Sequence, residues 1–356
     1  MSYWNDRPRI STDYTYKGVE AAILENRHLR LTVLPGKGGD IVEFRDKRTD
    51  VDVLWHADHD WVPPAERRIP TTELSWNDFY PGGWQVNLPI AGAGGMDFPG
   101  NHYDHHGESA LLPWDAEITR DDDEAVALEL STELRRYPFD VTRELTLPAD
   151  ASRLEIDESI TNLSEVDLEY IWQHHLALGE PLAAPGSRLD APIERAYVDT
   201  YGPDADTARL AGDSFFEWPN APGTDGDAVD LSVLPEKGYL DMVYGTELAD
   251  GWYAVRNPDL DLGFALTWPV DPFETLWYWQ CFGGANEAPF WGRNYTAGIE
   301  PTTAYPGNTI PDAQRENGTI DVLDGGDTIE SSMVATTFAP EGTVTDVTDD
   351  GRVRYD

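Results

Sequence analysis

The chain has 356 residues, of which 40% are hydrophobic and 11% aromatic, enough for a large core. Its 66 acidic residues face only 25 basic ones, which gives a formal net charge of −41. This balance argues against nucleic-acid binding, because contacts to phosphates require basic patches. The acidic residues are spread along the whole length, a pattern typical of a hydrated surface that stays soluble in multimolar salt. We therefore expect a salt-adapted protein.

Three further features bear on where the chain works. No run of 18 or more apolar residues is present, so no membrane helix is predicted. Residues 1–12 contain no apolar stretch of the kind found in secretory signals. Cys281 is the single cysteine, which excludes intrachain disulfides and cysteine-based zinc clusters. We expect a cytoplasmic monomer or homodimer that binds neither membranes nor nucleic acid.

Alternation of apolar and polar residues predicts strands rather than helices. The segments with this pattern are 21–35, 125–134, 139–148, 153–163, 170–178, 252–258, 263–269 and 275–282. With 31 Gly and 26 Pro between them, they predict many short antiparallel strands in an all-β sandwich or barrel. Because no linker interrupts the pattern, we expect one domain over residues 1–345 and an acidic tail over 346–356. Residues 60–110 are rich in loops, where sites are often built.

Histidines cluster in two places that could carry chemistry. His102, His105 and His106 lie within five residues, and His174 is followed directly by His175 in a strand-like segment. Adjacent residues on a strand face opposite ways, so only one histidine of the second pair can face a given pocket. Either cluster could be structural, or could supply an imidazole for acid–base chemistry.

A metal site is one alternative for the first cluster. His102 and His106, with Asp104 or Glu108, have the chemistry of metal ligands, but their spacing matches no helical zinc motif. The glycine-rich residues 92–95 lack the lysine of a phosphate-binding loop, and no G-x-S-x-G nucleophile motif is present. We therefore predict no metal and no cofactor.

A dense aromatic segment ends at one carboxylate, Glu300. Between residues 277 and 306 it contains Trp277, Tyr278, Trp279, Phe282, Phe290, Trp291, Tyr295 and Tyr305. Enclosure among aromatic rings would raise the pKa of Glu300 and make it a possible proton acceptor. Aromatic faces also suit the apolar C–H faces of a sugar ring. A hydrogen-bonded glutamate in a β core is the alternative interpretation.

Four segments in this order resemble the aldose 1-epimerase, or galactose mutarotase-like, superfamily. They are GGWQVNLP (82–89), HHGESALLPW (105–114), HHLALGEPL (174–182) and AGIEPTTAYPG (297–307). The resemblance spans most of the chain. It implies a single large, mostly antiparallel β-supersandwich with a shallow sugar cleft, and an isomerase that interconverts the α and β anomers of an aldose.

The resemblance also implies catalytic roles. Glu300 matches the general base that removes the proton of the anomeric hydroxyl. His175 matches the general acid that protonates the ring oxygen, and His106 matches a second histidine at the ring-oxygen end of the sugar. The chemistry needs one proton removed and one donated across a single sugar, without metal or redox cofactor. The acid role requires His175 to be protonated near neutral pH.

The residues that would bind the sugar depart from the family's pattern. The family's early arginine has no clear counterpart in residues 71–90, and Gln85 or Asn87 is predicted to replace it. Asp241 is matched weakly to a sugar-binding aspartate, with an aspartate in a turn as the alternative. Arg293 is predicted to contact a hydroxyl or a phosphate, with an ion pair to a surface acid as the alternative.

Trp279 and His174 complete the predicted substrate contacts. A carbohydrate-binding module without turnover and a hexose-6-phosphate 1-epimerase remain alternatives. The hexose-6-phosphate epimerase would need a basic pocket for the phosphate. A metal-dependent enzyme built on residues 102–106 is the third alternative function.

Overall fold

The structure is a computed structural model that describes residues 7–59, 61, 76–92, 96–98, 101–103, 105–200, 207–307 and 312–356. Within these residues, strands dominate and the only α-helix, α1, spans Asp312–Asn317. Single 3₁₀ turns span Trp76–Phe79, Ser109–Leu111 and Pro258–Leu260. The predicted all-β class is confirmed.

The strands are short and numerous. In the first half of the chain they are β1 Arg9–Tyr16, β2 Val19–Glu25, β3 Leu29–Leu34, β4 Asp40–Asp46, β5 Val51–Asp52, β6 Trp84–Asn87, β7 Met96–Phe98, β8 Asn101–Tyr103, β9 Asp115–Asp121, β10 Ala125–Glu133, β11 Phe139–Pro148, β12 Arg153–Asn162, β13 Leu168–Tyr170 and β14 Gln173–Gly179. In the second half they are β15 Arg188–Asp190, β16 Ile193–Val198, β17 Ser214–Glu217, β18 Asn220–Pro222, β19 Ala228–Asp230, β20 Tyr239–Leu248, β21 Trp252–Asn257, β22 Leu262–Thr267, β23 Thr275–Phe282, β24 Tyr295–Thr302, β25 Asp321–Leu323, β26 Thr328–Phe338, β27 Val344–Val347 and β28 Val353–Tyr355.

Two large sheets form the framework. The first has 12 strands in the order β1-β2-β3-β4-β6-β14-β24-β23-β20-β16-β17, with β5 paired beside β4. The second has 8 strands in the order β15-β21-β22-β26-β12-β11-β10-β9. The neighbours in both sheets pair antiparallel. Strand β14 is therefore adjacent to β24 in the larger sheet although the two are far apart in the sequence, and β23 and β20 follow beyond β24.

The sequence patterns explain the layers. Strand β11 alternates buried and half-buried residues along its whole length, as expected for a strand with one face on a core. Strands β14 and β24 are buried at every position, so both of their faces are covered. One large cluster of buried side chains contains residues from both sheets, including Leu128, Ile156, Leu176 and Ile299. The two sheets thus form a sandwich over a shared core.

The last residues differ from the predicted tail. Strands β27 and β28 pair as a hairpin, and Val344 and Val347 are buried in a small cluster with Trp252. The predicted tail at 346–356 is therefore part of a packed hairpin, because Val347, Val353 and Tyr355 pack on this cluster.

No helix in the described part of the chain is long and apolar enough to cross a membrane.

Candidate active site

The paired histidines show how the strands direct side chains to opposite sides of the larger sheet. His174 faces the second sheet, where its Nε2 lies 2.9 Å from Glu158 Oε2. His175, one residue later, lies on the other face and lines a cavity of about 270 Å³. This volume is slightly below the roughly 300–1,000 Å³ of drug-sized ligand pockets, and suits a single small ring. The cavity also contains Glu300, which the strand order brings next to β14.

Glu300 has one hydrogen-bonded and one unpaired carboxyl oxygen. The residue is only 2% exposed. The amide Nε2 of Gln173 donates a hydrogen bond to Oε2 at 3.0 Å. Oε1 has no hydrogen-bond partner among the described residues, and lies 3.4 Å from Nε2 of His175. A buried carboxylate therefore presents one oxygen to the cavity beside an imidazole.

Burial decides the protonation of this pair. It raises the pKa of Glu300 well above its usual range. Burial, reinforced by the nearby His105 and Lys37, lowers the pKa of His175 to about 3. These directions oppose the expected imidazolium at neutral pH and favour a neutral pair, with the proton on Glu300, in the free protein.

His106 lies against His175 at the other end of the cavity. The two ring centroids are 4.8 Å apart, and Nδ1 of His106 accepts a hydrogen bond from the backbone N–H of Gly92 at 3.1 Å. Burial, with the neighbouring His105 and His175, lowers the pKa of His106 well below its usual value. A neutral His106 whose Nδ1 is an acceptor carries its proton on Nε2. It can therefore donate one hydrogen bond.

Two aromatic side chains that the sequence analysis did not select cover the histidines. The ring of Trp76 stacks on Tyr80 at 4.3 Å and lies 5.2 Å from the ring of His175. Both rings are buried, and neither Trp76 Nε1 nor Tyr80 Oη has a hydrogen-bond partner in the described residues. Both line the cavity as unpaired donors.

Residues of strands β20 and β23 form the opposite wall. Trp277 and Trp279 lie two residues apart on β23, so both side chains face the cavity. Met242 and Tyr244 extend this wall from the neighbouring strand β20. The hydroxyl of Tyr244 donates to Asp199 at 2.6 Å, which fixes this ring. Trp279 therefore lines the cavity, and its contact with a sugar stays a prediction.

His174 does not lie in the cavity, contrary to the predicted substrate contact. Its Nδ1 accepts a hydrogen bond from Trp84 Nε1 at 3.1 Å, and Glu158 also pairs with Arg143 at 2.7 Å. Although burial acts to raise the pKa of Glu158, the charges of His174 and Arg143 outweigh it and lower the pKa. His174 belongs to a buried ionic network between the two sheets.

Gln85 and Asn87 lie behind the cavity. Gln85 pairs in register with His175 and donates to Asp40 at 2.6 Å, while Asn87 donates to Gln173 at 2.8 Å. Neither lines the cavity. Their positions make them supports of the cavity residues rather than the direct sugar contacts that were predicted.

Asp241 and Arg293 also lie outside the cavity. Asp241 faces away from it and accepts hydrogen bonds from the backbone N–H groups of Arg209 and Leu210. Arg293 is exposed and does not line the cavity. Both residues are close to the motifs in the sequence. Asp241 points away from the cavity because alternate residues of β20 face opposite sides, and Arg293 lies in the exposed loop before β24.

Among the candidate metal ligands, Glu108 and His106 make other hydrogen bonds. No group of three metal-ligating side chains comes together in the described parts of the chain. Asp104 and the side chain of His102 lie outside the described residues. Glu108 instead accepts hydrogen bonds from Tyr103 and the backbone of Arg136, and His106 binds Gly92.

The missed cavity residues carried a weak sequence signal. Trp76, Asn77 and Tyr80 come from the aromatic run WNDFY at 76–80, which sits inside the predicted loop-rich stretch. Aromatic residues concentrated in a loop are a reasonable marker of a pocket wall. The contribution of Tyr244 had no comparable signal, because its strand resembles any core strand.

Comparisons with known proteins add the family and the fold. A family described as "Domain of unknown function (DUF4432)" matches residues 16–336. No curated protein matches the sequence significantly.

Solved structures match at low sequence identity. A candidate aldose 1-epimerase from Klebsiella pneumoniae is 15% identical, with 93% of this chain and 83% of that chain covered and a TM-score of 0.70. A galactose mutarotase-like protein from Clostridium acetobutylicum is 14% identical, with 94% and 100% covered and a TM-score of 0.64. A candidate aldose 1-epimerase from Escherichia coli K12 is 16% identical, with 89% and 98% covered and a TM-score of 0.59. These similarities establish the galactose mutarotase-like sandwich fold, as predicted.

Proposed function

The chain belongs to the family described as "Domain of unknown function (DUF4432)", and we propose that it is an aldose 1-epimerase-like isomerase that interconverts the α and β anomers of a neutral aldose. The contact between Oε1 of Glu300 and Nε2 of His175, 3.4 Å long and formed by two residues that line an aromatic cavity, carries this proposal. Opening a cyclic hemiacetal moves one proton from the anomeric hydroxyl and one to the ring oxygen. Because both oxygens are bonded to the same carbon, the base and the acid must lie close together.

The resting proton on Glu300 is compatible with the predicted roles. Transfer of this proton across the 3.4 Å contact yields a carboxylate base and an imidazolium acid without exchange with solvent. Burial disfavours the charged pair, but hydrogen bonds from sugar hydroxyls to the carboxylate would stabilise it. Glu300 then accepts the anomeric proton, and His175 protonates the ring oxygen. The open aldehyde rotates about C1–C2 and closes on its other face.

The remaining cavity residues suit a neutral sugar. Trp277 and Trp279 offer flat apolar faces, and Trp76, Tyr80 and His106 offer N–H or O–H donors to oxygen atoms. No Lys or Arg is among the described residues that line the cavity. A 6-phosphate would therefore meet no opposite charge there, which favours a free aldose over a sugar phosphate.

Polarimetry on freshly dissolved α-D-glucose, α-D-galactose and other aldoses tests the proposal. The wild type should accelerate mutarotation, whereas Glu300→Gln should lower kcat by at least about 10³-fold, since it removes the proton acceptor. Gln280→Glu is a matched control, because Gln280 lies on the opposite face of β23 and does not line the cavity. If the wild type matches Glu300→Gln on every sugar yet binds one of them, the protein is a carbohydrate-binding module instead.

We also propose that the protein functions in concentrated salt. The formal charge of −41 creates strong self-repulsion at low ionic strength, which added salt screens. Its melting temperature should rise steadily between 0.1 M and 2 M KCl. A melting temperature that is unchanged or falls over this range would contradict salt adaptation.

A further inference from the structure

The two oxygens of the Glu300 carboxyl group are in different environments. Oε2 accepts a hydrogen bond from the amide of Gln173 at 3.0 Å. Oε1 has no hydrogen-bond partner among the described residues, and contacts His175 at the cavity. Some feature of the surrounding strands must keep the carboxyl group from rotating between these environments.

A relay of two amides provides this restraint. Gln173 is completely buried on β14, two residues before His175, so both side chains lie on the same face of the sheet. In register, Gln173 pairs with Asn87 on one side and Thr302 on the other. Nδ2 of Asn87 donates to Oε1 of Gln173 at 2.8 Å. This contact occupies the amide oxygen of Gln173 and leaves its Nε2 facing Glu300.

The orientation of the amide has an electrostatic consequence. If the amide of Gln173 were flipped, its oxygen would face the carboxylate and repel it. With Nε2 toward Oε2, the hydrogen bond favours the ionised form of Glu300 over the protonated one. It also fixes the plane of the carboxyl group, so that Oε1 projects toward the cavity.

We propose that Gln173 is a positioning residue for the Glu300–His175 pair, and that Asn87 fixes the orientation of its amide. This inference rests on the proposed function, because the pair that it orients is the proposed acid–base pair. Gln173 does not line the cavity, so it acts through Glu300 rather than on the sugar.

The decisive variant is Gln173→Met, which keeps the length of the side chain but removes the donor. We expect kcat for mutarotation to fall about 10- to 100-fold and KM to change less than threefold, since sugar contacts are untouched. The alkaline limb of the kcat/KM profile, where the pair loses its single proton, should move to higher pH, because the carboxylate loses a stabilising hydrogen bond. Gln280→Met is the matched control: it also removes a buried amide, but from the side of β23 that faces away from the cavity.

A second variant tests the relay itself. Asn87→Leu should lower kcat by a smaller factor, because the amide of Gln173 can then flip. In the double variant with Gln173→Met, the substitution at residue 87 should have no further effect. Additive losses would show that Asn87 acts independently of Gln173.

An infrared titration tests the inference without activity. The carbonyl band of protonated Glu300, identified by subtraction of the Glu300→Gln spectrum, should disappear at a higher pH in Gln173→Met than in the wild type. If the wild type shows no mutarotation but this shift is present, the proposed function fails and the positioning role stands. An unchanged titration, or kcat and pH profile equal to those of Gln280→Met, would overturn the inference.

Discussion

Gly298 gives the most direct test of the geometry around Glu300. It lies two residues before Glu300 on β24 and faces the same side of the sheet. A methyl group added at this position would lie 2.5 Å from Oε1 of Glu300 and 3.2 Å from Cβ of Trp279. Cβ contacts below 3.0 Å essentially never occur, so in Gly298→Ala the carboxyl group or the strand must move by at least 0.5 Å.

The size of the effect follows from this displacement. A shift of about 1 Å in a reacting group can cost roughly 10²-fold in rate, so we expect kcat to fall about 10- to 100-fold. Folding stability should change by no more than about 1 kcal/mol, because replacing a strand glycine also reduces the entropy of the unfolded chain. Loss of activity with a nearly unchanged melting temperature is therefore the expected signature.

Polarimetry in molar KCl and thermal unfolding measure the two quantities. Gly342→Ala serves as the matched control, since a methyl group there would meet nothing closer than Cβ of Tyr355 at 3.8 Å. A value of kcat for Gly298→Ala within twofold of this control would refute the argument, because Oε1 of Glu300 could then not be the oxygen that reacts.

Three further outcomes are expected. Burial lowers the pKa of His175 to about 3 from its ordinary 6.5, so between these values the unfolded state binds a proton that the native state does not. Stability should therefore fall with decreasing pH across this window, by up to about 1.4 kcal/mol per unit from this residue. The raised pKa of Glu300 changes stability with pH in the opposite sense. Urea unfolding of the wild type and of His175→Gln, compared across this pH window, therefore isolates the contribution of the histidine. Equal slopes of unfolding free energy against pH in the two proteins would contradict the lowered pKa of His175. Glu158→Gln leaves the buried Arg143 without its ion pair and should cost about 3–5 kcal/mol in a denaturant titration; a loss below 1 kcal/mol would mean that the pair is not buried. Trp76→Phe keeps an aromatic ring stacked on Tyr80 but removes the unpaired Nε1–H. KM should therefore rise about 3- to 10-fold, while kcat stays within threefold of the wild type. An unchanged KM would show that the indole donates no hydrogen bond to the sugar.

Local patterns predicted the strands well where one face is buried. Residues 139–148 alternate along their whole length and form β11 with the same bounds. Residues 21–35 form two strands, because Asn26 turns the chain by accepting hydrogen bonds from the backbone of His28 and Leu29. The sequence alone gave no register, and register decides which side chains meet.

The same reasoning explains the outcome for the predicted site residues. His106, His175, Glu300 and Trp279 were selected from motifs, and all four line one cavity. Their proposed roles in catalysis and binding stay predictions. The remaining predicted sugar contacts, Gln85, Asn87, His174, Asp241 and Arg293, lie outside it. A residue next to a cavity residue in the sequence need not line the same cavity, because alternate residues of a strand face opposite sides of the sheet.

The sequence by itself determined the class of fold, the acidic surface and the residue types available for acid–base chemistry, since these follow from composition, alternation and short motifs. Tertiary structure decided which oxygen of Glu300 is unpaired, that Gln173 holds the other, and that Trp76 and Tyr80 cover His175. It also decided the direction in which the pKa of each member of the pair shifts, because the pKa of a buried group depends on how completely its neighbours exclude water. The contact between Gln173 and Glu300 joins strands at positions 127 residues apart, and its geometry arises from the order of strands in the sheet.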